Sequence, residues 1–289
     1  MTALSPIKEV LDLLDLEPIE ENIFRGHSPH DRMRRVFGGQ VLGQALVAAA
    51  RTVEGRICHS LHAYFLRPGD PKIPILYEVD RARDGRSFTS RRVVAIQHGQ
   101  QIFNLAASFQ LPEEGYEHQF EMPKVPEPET LKSEAELRAK IAPNLPEDLR
   151  AWFERPRPIE LRPVEPRNYL SPEKRPPHEM LWMRASGPLP DDLALHQCML
   201  AFASDMSLLG TGMLPHGIGW LDNKVQLASL DHAMWFHRPF RMDGWLLYVQ
   251  DSPSASGARS FNRGLLYARD GKLVASVAQE GLMRPRRAE

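Results

Sequence analysis

The chain has 289 residues, about twice the ~150 residues of an average domain, so we expect either one large domain or two smaller ones. Hydrophobic residues make up 42% of it and charged residues 25%, which is ordinary for a folded protein and excludes a mainly disordered chain. Because 36 lysines and arginines oppose 37 aspartates and glutamates, no global field attracts nucleic acid or an anionic membrane surface. A ligand that carries phosphate would need a local cluster of positive charge.

The cysteines and the two ends of the chain favour a cytoplasmic protein. Cys58 and Cys198 lie in apolar surroundings without the nearby second thiol of a metal or redox motif, which predicts buried core residues in a reducing compartment. Acidic residues interrupt the apolar positions of residues 1–18, unlike a secretory signal, and no run approaches the ~18 apolar residues of a membrane span. The terminal RPRRAE matches neither a peroxisomal nor an ER-retention signal.

Prolines divide the chain into three regions. Thirteen of the 25 prolines lie between Pro112 and Pro177. Because proline lacks an N–H donor and fixes φ, this segment is predicted to be a linker with only short helices, such as 134–141 and 147–153. The predicted regions are an N-terminal unit over residues 1–111, the proline-rich linker over 112–177 and a C-terminal unit over 178–289.

The N-terminal unit contains one unusually apolar helix followed by short strands. The run GGQVLGQALVAAARTV, from Gly38 to Val53, is apolar or small on nearly every face, which predicts a helix that is covered on most sides. The runs that follow are rich in aromatic and β-branched residues, as in antiparallel strands: HSLHAYFLRP, PILYEVDR, SFTSRRVVAIQ and QIFNLAASFQ. His98-Gly99 separates the last two and predicts a tight hairpin turn.

The C-terminal unit repeats this order. A long apolar helix is predicted from Asp191 to Gly210, capped by an aspartate pair. The strand-like runs after it are VQLASLDHAMWFHRP, WLLYVQDS, ARSFNRGLLYAR and KLVASVAQEGLMR. AYFLRP at 63–68 recurs as MWFHRP at 234–239, and GRSF at 85–88 recurs as ARSF at 258–261. We interpret the chain as an internal duplication.

One buried helix wrapped by antiparallel strands is the hotdog arrangement, so the sequence predicts an α+β fold with two tandem hotdog units, a double hotdog. The segments FGGQVLGQAL, HSLHAYFLRPGD, RDGRSFTSRRV, LDHAMWFHRPF and LVASVAQEGLMR resemble the type II acyl-CoA thioesterases, the bacterial TesB-like enzymes and their peroxisomal relatives. The resemblance covers both units in the same order and spacing. It implies hydrolysis of acyl-CoA to a free fatty acid and coenzyme A, with catalytic groups in the C-terminal unit and with no metal or bound cofactor.

The signatures of several other enzyme classes are absent from the sequence. It contains no G-x-S-x-G elbow, no G-x-x-x-x-G-K-[ST] loop, no H-E-x-x-H and no C-x-x-C. Nucleotide hydrolysis, Rossmann redox chemistry and zinc catalysis are therefore disfavoured.

Asp205 is the most informative polar residue, because a carboxylate within MLAFASDMSLLG needs partners or a purpose. A partly desolvated carboxylate has a raised pKa and can act as a general base near neutral pH. From the residues alone, an aspartate that caps a helix break or pairs with a buried arginine is equally consistent. The resemblance places the catalytic aspartate of the family on Asp205.

The same resemblance implies two partners for Asp205: the hydroxyl of Ser229, just before the LDH motif, and the amide of Gln279 in the final strand. Alone, a serine or glutamine on a strand usually faces solvent or bonds to the backbone. Together, the three groups could hold one water that attacks the thioester carbonyl while Asp205 takes its proton. Developing oxyanion charge would need donors, and Gly38-Gly39 at the start of the first helix could supply backbone N–H groups, although the pair equally suits a tight turn.

Arginines cluster at equivalent places in the two units, a spacing that suits the phosphates of coenzyme A. The substrate-binding candidates are Arg86 and Arg91 in the first unit and Arg259 and Arg263 in the second. Solvated strand ends or salt bridges between subunits explain these arginines equally well.

Two rival functions stay open at this point. A hotdog enoyl-CoA hydratase usually needs a histidine with an acid as proton shuttles, so the set of Asp205, Ser229 and Gln279 argues against it. His62, His232 and His237 lie in strands beside aromatic residues, which is typical of packing histidines, and we assign them no catalytic role. A non-catalytic acyl-CoA binding protein would keep the same tunnel. The resemblance also implies a homo-oligomer, a dimer or a tetramer, because paired hotdogs commonly join their sheets edge to edge.

Overall fold

The structure is a computed structural model and describes residues 5–29, 35–221 and 224–286. Its N-terminal unit contains α1 (Pro6–Leu14), β1 (Glu17–Glu20), β2 (Ile23–Gly26), α2 (Gly38–Ala50), β3 (Ile57–Phe65), β4 (Ile75–Asp84), β5 (Phe88–Gln97) and β6 (Gln100–Gln110). The remainder contains α3 (Glu134–Ile141), α4 (Glu147–Glu154), β7 (Ile159–Pro163), β8 (His178–Ala185), α5 (Leu193–Ser204), α6 (Leu208–Thr211), β9 (Val225–Ser229), β10 (Asp231–Phe236), β11 (Leu246–Ser256), β12 (Arg259–Ala268) and β13 (Leu273–Pro285).

The described strands form one antiparallel sheet whose order confirms the duplication. The order is β1-β2-β4-β5-β6-β3-β10-β13-β12-β11-β8-β7, with β9 paired to β13 off this path. Read from its two ends, the sheet matches β1 with β7, β2 with β8, β4 with β11, β5 with β12, β6 with β13 and β3 with β10. The two units meet where β3 pairs with β10, in the register Leu61↔Met234. The predicted double hotdog is thus one continuous sheet.

Helices α2 and α5 lie inside this sheet and pack against each other. Both are apolar on all sides, because each is covered by its own half of the sheet and by the other helix. Glycine permits the close approach: a Cβ on Gly39 would lie 2.3 Å from the Phe202 carbonyl oxygen. The segment Leu193–His216 is apolar enough to cross a membrane, but 78% of its most apolar stretch is buried in the protein, which explains its composition.

The predicted helix from Asp191 to Gly210 is wrong in one respect, since it is interrupted. Asp192 caps α5 by accepting a hydrogen bond from the Ala194 N–H at 2.9 Å. Helix α5 then ends at Ser204, Asp205 follows as its C-cap, and α6 begins at Leu208. The break turns the carboxylate of Asp205 toward the start of α2.

The linker prediction is correct for α3 and α4 but missed β7. This strand pairs with β8 at the edge of the sheet, so the second unit begins before residue 178. Proline is tolerated there because an edge strand has one side without ladder hydrogen bonds. The linker is also attached to the second unit: the Trp182 indole donates to the Pro126 carbonyl at 3.0 Å, and Met122, Val125 and Leu131 pack beside it.

The buried contact between the units predicts that neither folds alone. Residues 112–289, which include β7, expressed without the rest would expose the α2-facing side of α5 and the β3-facing edge of β10, so we expect insoluble material. The full chain should unfold in one cooperative transition by circular dichroism. A soluble, monomeric 112–289 fragment with its own sharp unfolding transition would contradict this expectation.

Candidate active site

Three polar side chains of the second unit meet at the break between α5 and α6. Oδ1 of Asp205 accepts a hydrogen bond from the Ser229 hydroxyl at 3.0 Å and another from Nε2 of Gln279 at 2.5 Å. The structure therefore brings together the three residues that the sequence singled out, across 24 and 74 residues of chain.

An irregularity between β9 and β10 places Ser229 on the same side as the groups behind it. Ser229 pairs with Gly281, yet four residues later the partner of Ala233 is Ala278, only three residues back along β13. The extra residue, at Leu230, shifts by one position the alternation of side chains between the two faces of the sheet. Ser229 and the buried His232, three residues apart, consequently both face the helix rather than opposite sides of the sheet.

Burial sets the protonation of Asp205. Desolvation raises the pKa of this carboxyl to about 6, while hydrogen bonds from Gln279 and Ser229 act against the rise by favouring the charged form. A carboxylate with this pKa is ionised at neutral pH and is still basic enough to accept a proton from a reacting water.

The start of α2 contributes to the same carboxylate. Helix α2 has no capping side chain of its own, and the backbone N–H of Gly39 also lowers the pKa of Asp205. A Cβ on Gly38 would lie 2.7 Å from Oδ2 of Asp205, so a larger residue there would displace the carboxylate. The Asp205 carboxylate thus occupies the place of an N-cap for a helix in the other unit, where the helix dipole favours negative charge. The predicted role of Gly38 and Gly39 as oxyanion donors stays a prediction.

Behind Gln279 lies a histidine that the sequence interpretation treated as a packing residue. Nδ1 of His232 lies 2.9 Å from Nε2 of Gln279, and Nε2 of His232 lies 2.9 Å from the Ser204 hydroxyl. His232 is fully buried, and burial lowers its pKa to about 3, so the imidazole is neutral. The one signal in the sequence was its position in the LDH motif, which does not reveal these contacts.

Asp205 and Ser229 line a cavity of about 730 Å³, and the fully buried Gln279 contacts Asp205 from behind it. Phe37, Phe65 and Phe202 line it beside Asp205, the linker adds Trp152 and Phe153, and β7 adds Leu161. Such a volume with mostly apolar walls suits a ligand that has a long hydrocarbon part. Among the residues that the structure describes, no three His, Cys, Asp or Glu side chains could jointly hold a metal ion.

The four candidate arginines do not join this site. The cavity wall, as far as the described residues form it, contains none of Arg86, Arg91, Arg259 and Arg263. Arg91 is contradicted as a phosphate ligand, because it is 2% exposed and its guanidinium donates to Thr52 at 2.8 Å and to Asp84 at 2.7 Å. Its position on an inward-facing part of β5 buries it, which spacing alone did not reveal.

The other candidate arginines lie nearer the solvent. Arg259 donates to Glu280 at 2.8 Å, and Arg263 donates to both carboxylate oxygens of Asp251 at 2.8 and 2.9 Å, as strand-end ion pairs within one chain. Arg86 is exposed beside the β4–β5 turn. Phosphate contact by these three stays a prediction.

Comparison with known proteins places the chain among proteins of one kind. A family model described as acyl-CoA thioesterase matches residues 148–282, and the model of the acyl-CoA thioesterase N-terminal domain matches residues 27–110. Acyl-CoA thioesterase 2 of Haemophilus influenzae is 43% identical over 279 residues, which covers 96% of this chain and 98% of the relative. Human acyl-coenzyme A thioesterase 8 is 44% identical over 95% of this chain and 88% of its own length.

A solved structure agrees with the sequence comparison. The crystal structure of the acyl-CoA thioesterase II TesB2 from Mycobacterium marinum matches with a TM-score of 0.79 and 44% identity, covering 96% of this chain and 98% of that one. Both family models, the identity of the relatives and the shared double hotdog agree on one assignment: the chain belongs to the acyl-CoA thioesterase family.

Proposed function

We propose that the chain hydrolyses acyl-CoA to a free fatty acid and coenzyme A by direct attack of a water held at Asp205, Ser229 and Gln279. The observation that carries the proposal is the meeting of these three groups at the Asp205 carboxylate, which lines a large apolar cavity together with Ser229. The Asp205 carboxylate accepts from two side chains through the same oxygen, so its second oxygen faces the start of α2 and can take a proton from water.

In the proposed reaction, the water oxygen forms a bond to the thioester carbonyl carbon while Asp205 takes one water proton. We place the negative charge that develops on the carbonyl oxygen at the start of α2, where the helix dipole favours it and the Gly38 N–H can donate while the Gly39 N–H supports Asp205. Collapse of the tetrahedral intermediate breaks the C–S bond. The proton on Asp205 then passes to the leaving thiolate and restores the base.

We place the acyl chain in the apolar cavity and the coenzyme A moiety at its polar rim. Arg35 and Arg67 line the cavity and are exposed, so their guanidinium groups can contact phosphate. Each already donates one hydrogen bond to a backbone carbonyl, Arg35 to Leu227 at 2.9 Å and Arg67 to Gln101 at 2.7 Å, which orients the side chain.

The same geometry argues against the two rival functions. A hydratase of the histidine type needs an imidazole that exchanges protons with substrate, whereas His232 is buried behind Gln279 with a pKa of about 3. Burial also makes the Asp205 carboxylate more basic at the wall of the ligand cavity. A protein that only binds acyl-CoA has no use for such a base. Hydrolysis accounts for both features.

We further propose a cytoplasmic homo-oligomer, a dimer or a tetramer. Tyr64 and Trp235 lie on the adjoining central strands β3 and β10 and are 59% and 37% exposed on the outer side of the sheet. Large aromatic side chains at such positions are typical of contacts between subunits. Light scattering coupled to size exclusion would measure the assembly.

The proposed function is tested by following free thiol release from acyl-CoA substrates of increasing chain length. The wild-type protein should release coenzyme A, and Asp205→Asn, which keeps size but removes the base, should lower kcat about 10²–10⁴-fold with little change in KM. If Asp205→Asn released coenzyme A at a rate within a few-fold of the wild-type rate, the role of Asp205 would be structural. No release from any chain length would favour the binding protein.

The pH dependence follows from the raised pKa of Asp205. The base must be ionised, so kcat/KM should be constant above its pKa of about 6 and should fall about tenfold per pH unit below it. Initial rates between pH 4.5 and 8.5, with folding checked at each pH by circular dichroism, would measure this profile. A rate that stays constant down to pH 4.5 would contradict the role of Asp205 as the base.

Ser229 is expected to orient water rather than to form an acyl-enzyme. Its only side-chain partner among the described residues is a carboxylate, which is too weak a base to ionise a hydroxyl. Ser229→Thr should therefore keep much of the activity, whereas Ser229→Ala should lose most of it. Rapid-quench mass spectrometry should find unmodified protein during turnover, and an acyl adduct on Ser229 that forms and decays at the catalytic rate would overturn the direct attack of water.

A further inference from the structure

A chain of buried hydrogen bonds runs from the backbone of α5 to Asp205. The Ser204 hydroxyl lies 3.0 Å from the Ala201 carbonyl oxygen and 2.9 Å from Nε2 of His232. Nδ1 of His232 lies 2.9 Å from the terminal nitrogen of Gln279, which lies 2.5 Å from Oδ1 of Asp205. Ser204, His232 and Gln279 are all 0% exposed. We call Ser204, His232 and Gln279 the relay. Bulk water does not reach these side chains, so it cannot change which groups donate and which accept.

The chemistry of the two ends determines every donor and acceptor in the relay. A backbone carbonyl can only accept, so the Ser204 hydroxyl donates to Ala201 and accepts the proton on Nε2 of His232. Nδ1 of the neutral imidazole is then without a proton and can only accept. At the other end, the Asp205 carboxylate also only accepts. The terminal atom of Gln279 that contacts both Asp205 and Nδ1 of His232 must therefore be the nitrogen of the NH₂ group.

This order leaves the amide oxygen of Gln279 outside these contacts. Oε1 is buried, and no donor for it lies among the residues that the structure describes. A buried amide oxygen without a donor is costly, so the hydrogen bonds that Asp205 and His232 accept from the NH₂ group must outweigh that cost to hold the amide in this orientation.

We propose that His232 is a positioning residue which, through Ser204, keeps the amide of Gln279 in the single orientation that donates its NH₂ group to Asp205. The inference rests on the proposed function of Asp205 as base. Asp205 alone cannot keep the amide in this orientation during the whole reaction. Once Asp205 has taken the proton, its carboxyl no longer requires a donor, and a flipped amide would be tolerated. Nδ1 of His232 accepts throughout the cycle and keeps the amide in place.

A matched pair of substitutions separates positioning from packing. In His232→Asn, the Oδ1 of asparagine lies near the position of Nδ1 and can accept from Gln279. In His232→Leu, the side chain has a bulk similar to that of asparagine but no acceptor. Both variants lose the imidazole ring and its contact with Ser204. We expect His232→Leu to lower kcat about 10–100-fold with KM within about twofold, and His232→Asn to retain most of kcat. An equal loss of kcat in both variants would overturn the proposal.

Coupling to Gln279 provides a second readout. In a Gln279→Ala background the amide is absent, so His232→Leu should change kcat by less than about twofold. If His232→Leu lowered kcat by the same factor with and without Gln279, His232 would act through packing alone, and the proposal would be wrong.

The tautomer of His232 can be measured even if a variant fails to fold. ¹⁵N NMR of histidine-labelled wild-type protein should show a neutral His232 with its proton on Nε2 from pH 6 to 8. A proton on Nδ1, or an imidazolium at pH 6, would overturn the proposal. This measurement does not depend on turnover, so a wild-type protein that releases no thiol would refute the proposed function while the arrangement of His232 is still decided.

Discussion

The packing of α2 against α5 is the contact on which the rest of the structure depends. Each helix is too apolar to face water on any side, so the two units must close around both helices at once. The approach is close enough that a Cβ on Gly43 would lie 3.1 Å from the Cys198 carbonyl oxygen. This contact brings the start of one helix to the end of the other, and the active site lies at that junction.

A single carboxylate serves both the fold and the chemistry at this junction. Asp205 ends α5 and supplies the negative charge that the uncapped start of α2 favours. Burial opposes that charge, whereas Ser229, Gln279 and the Gly39 N–H support it, and the balance leaves a pKa of about 6. A more polar site would leave the carboxylate weakly basic, and a drier one would leave it protonated at neutral pH.

The duplication has kept the scaffold of both units but has kept the polar site in one. Alignment of AYFLRP with MWFHRP places Leu61 at the position of His232, two residues before each motif. Leu61 pairs with Ala107 across β3 and β6, which is the counterpart of His232 facing Gln279 across β10 and β13. In the first unit, apolar side chains therefore fill the space that the hydrogen-bonded relay occupies in the second unit. The first unit contributes the start of α2 to the active site instead.

The sequence by itself determined the duplication, most of the strands, the two apolar helices and, through the family resemblance, the set of Asp205, Ser229 and Gln279. These follow from local periodicity and from motifs that are continuous along the chain. Only the tertiary structure decided the break at Asp205, the extra residue at Leu230, the burial of Arg91 and the partners of His232. Each of these depends on atoms from segments far apart in the chain, and the choice between a packing histidine and an ordered relay depends on which neighbour donates at 2.9 Å.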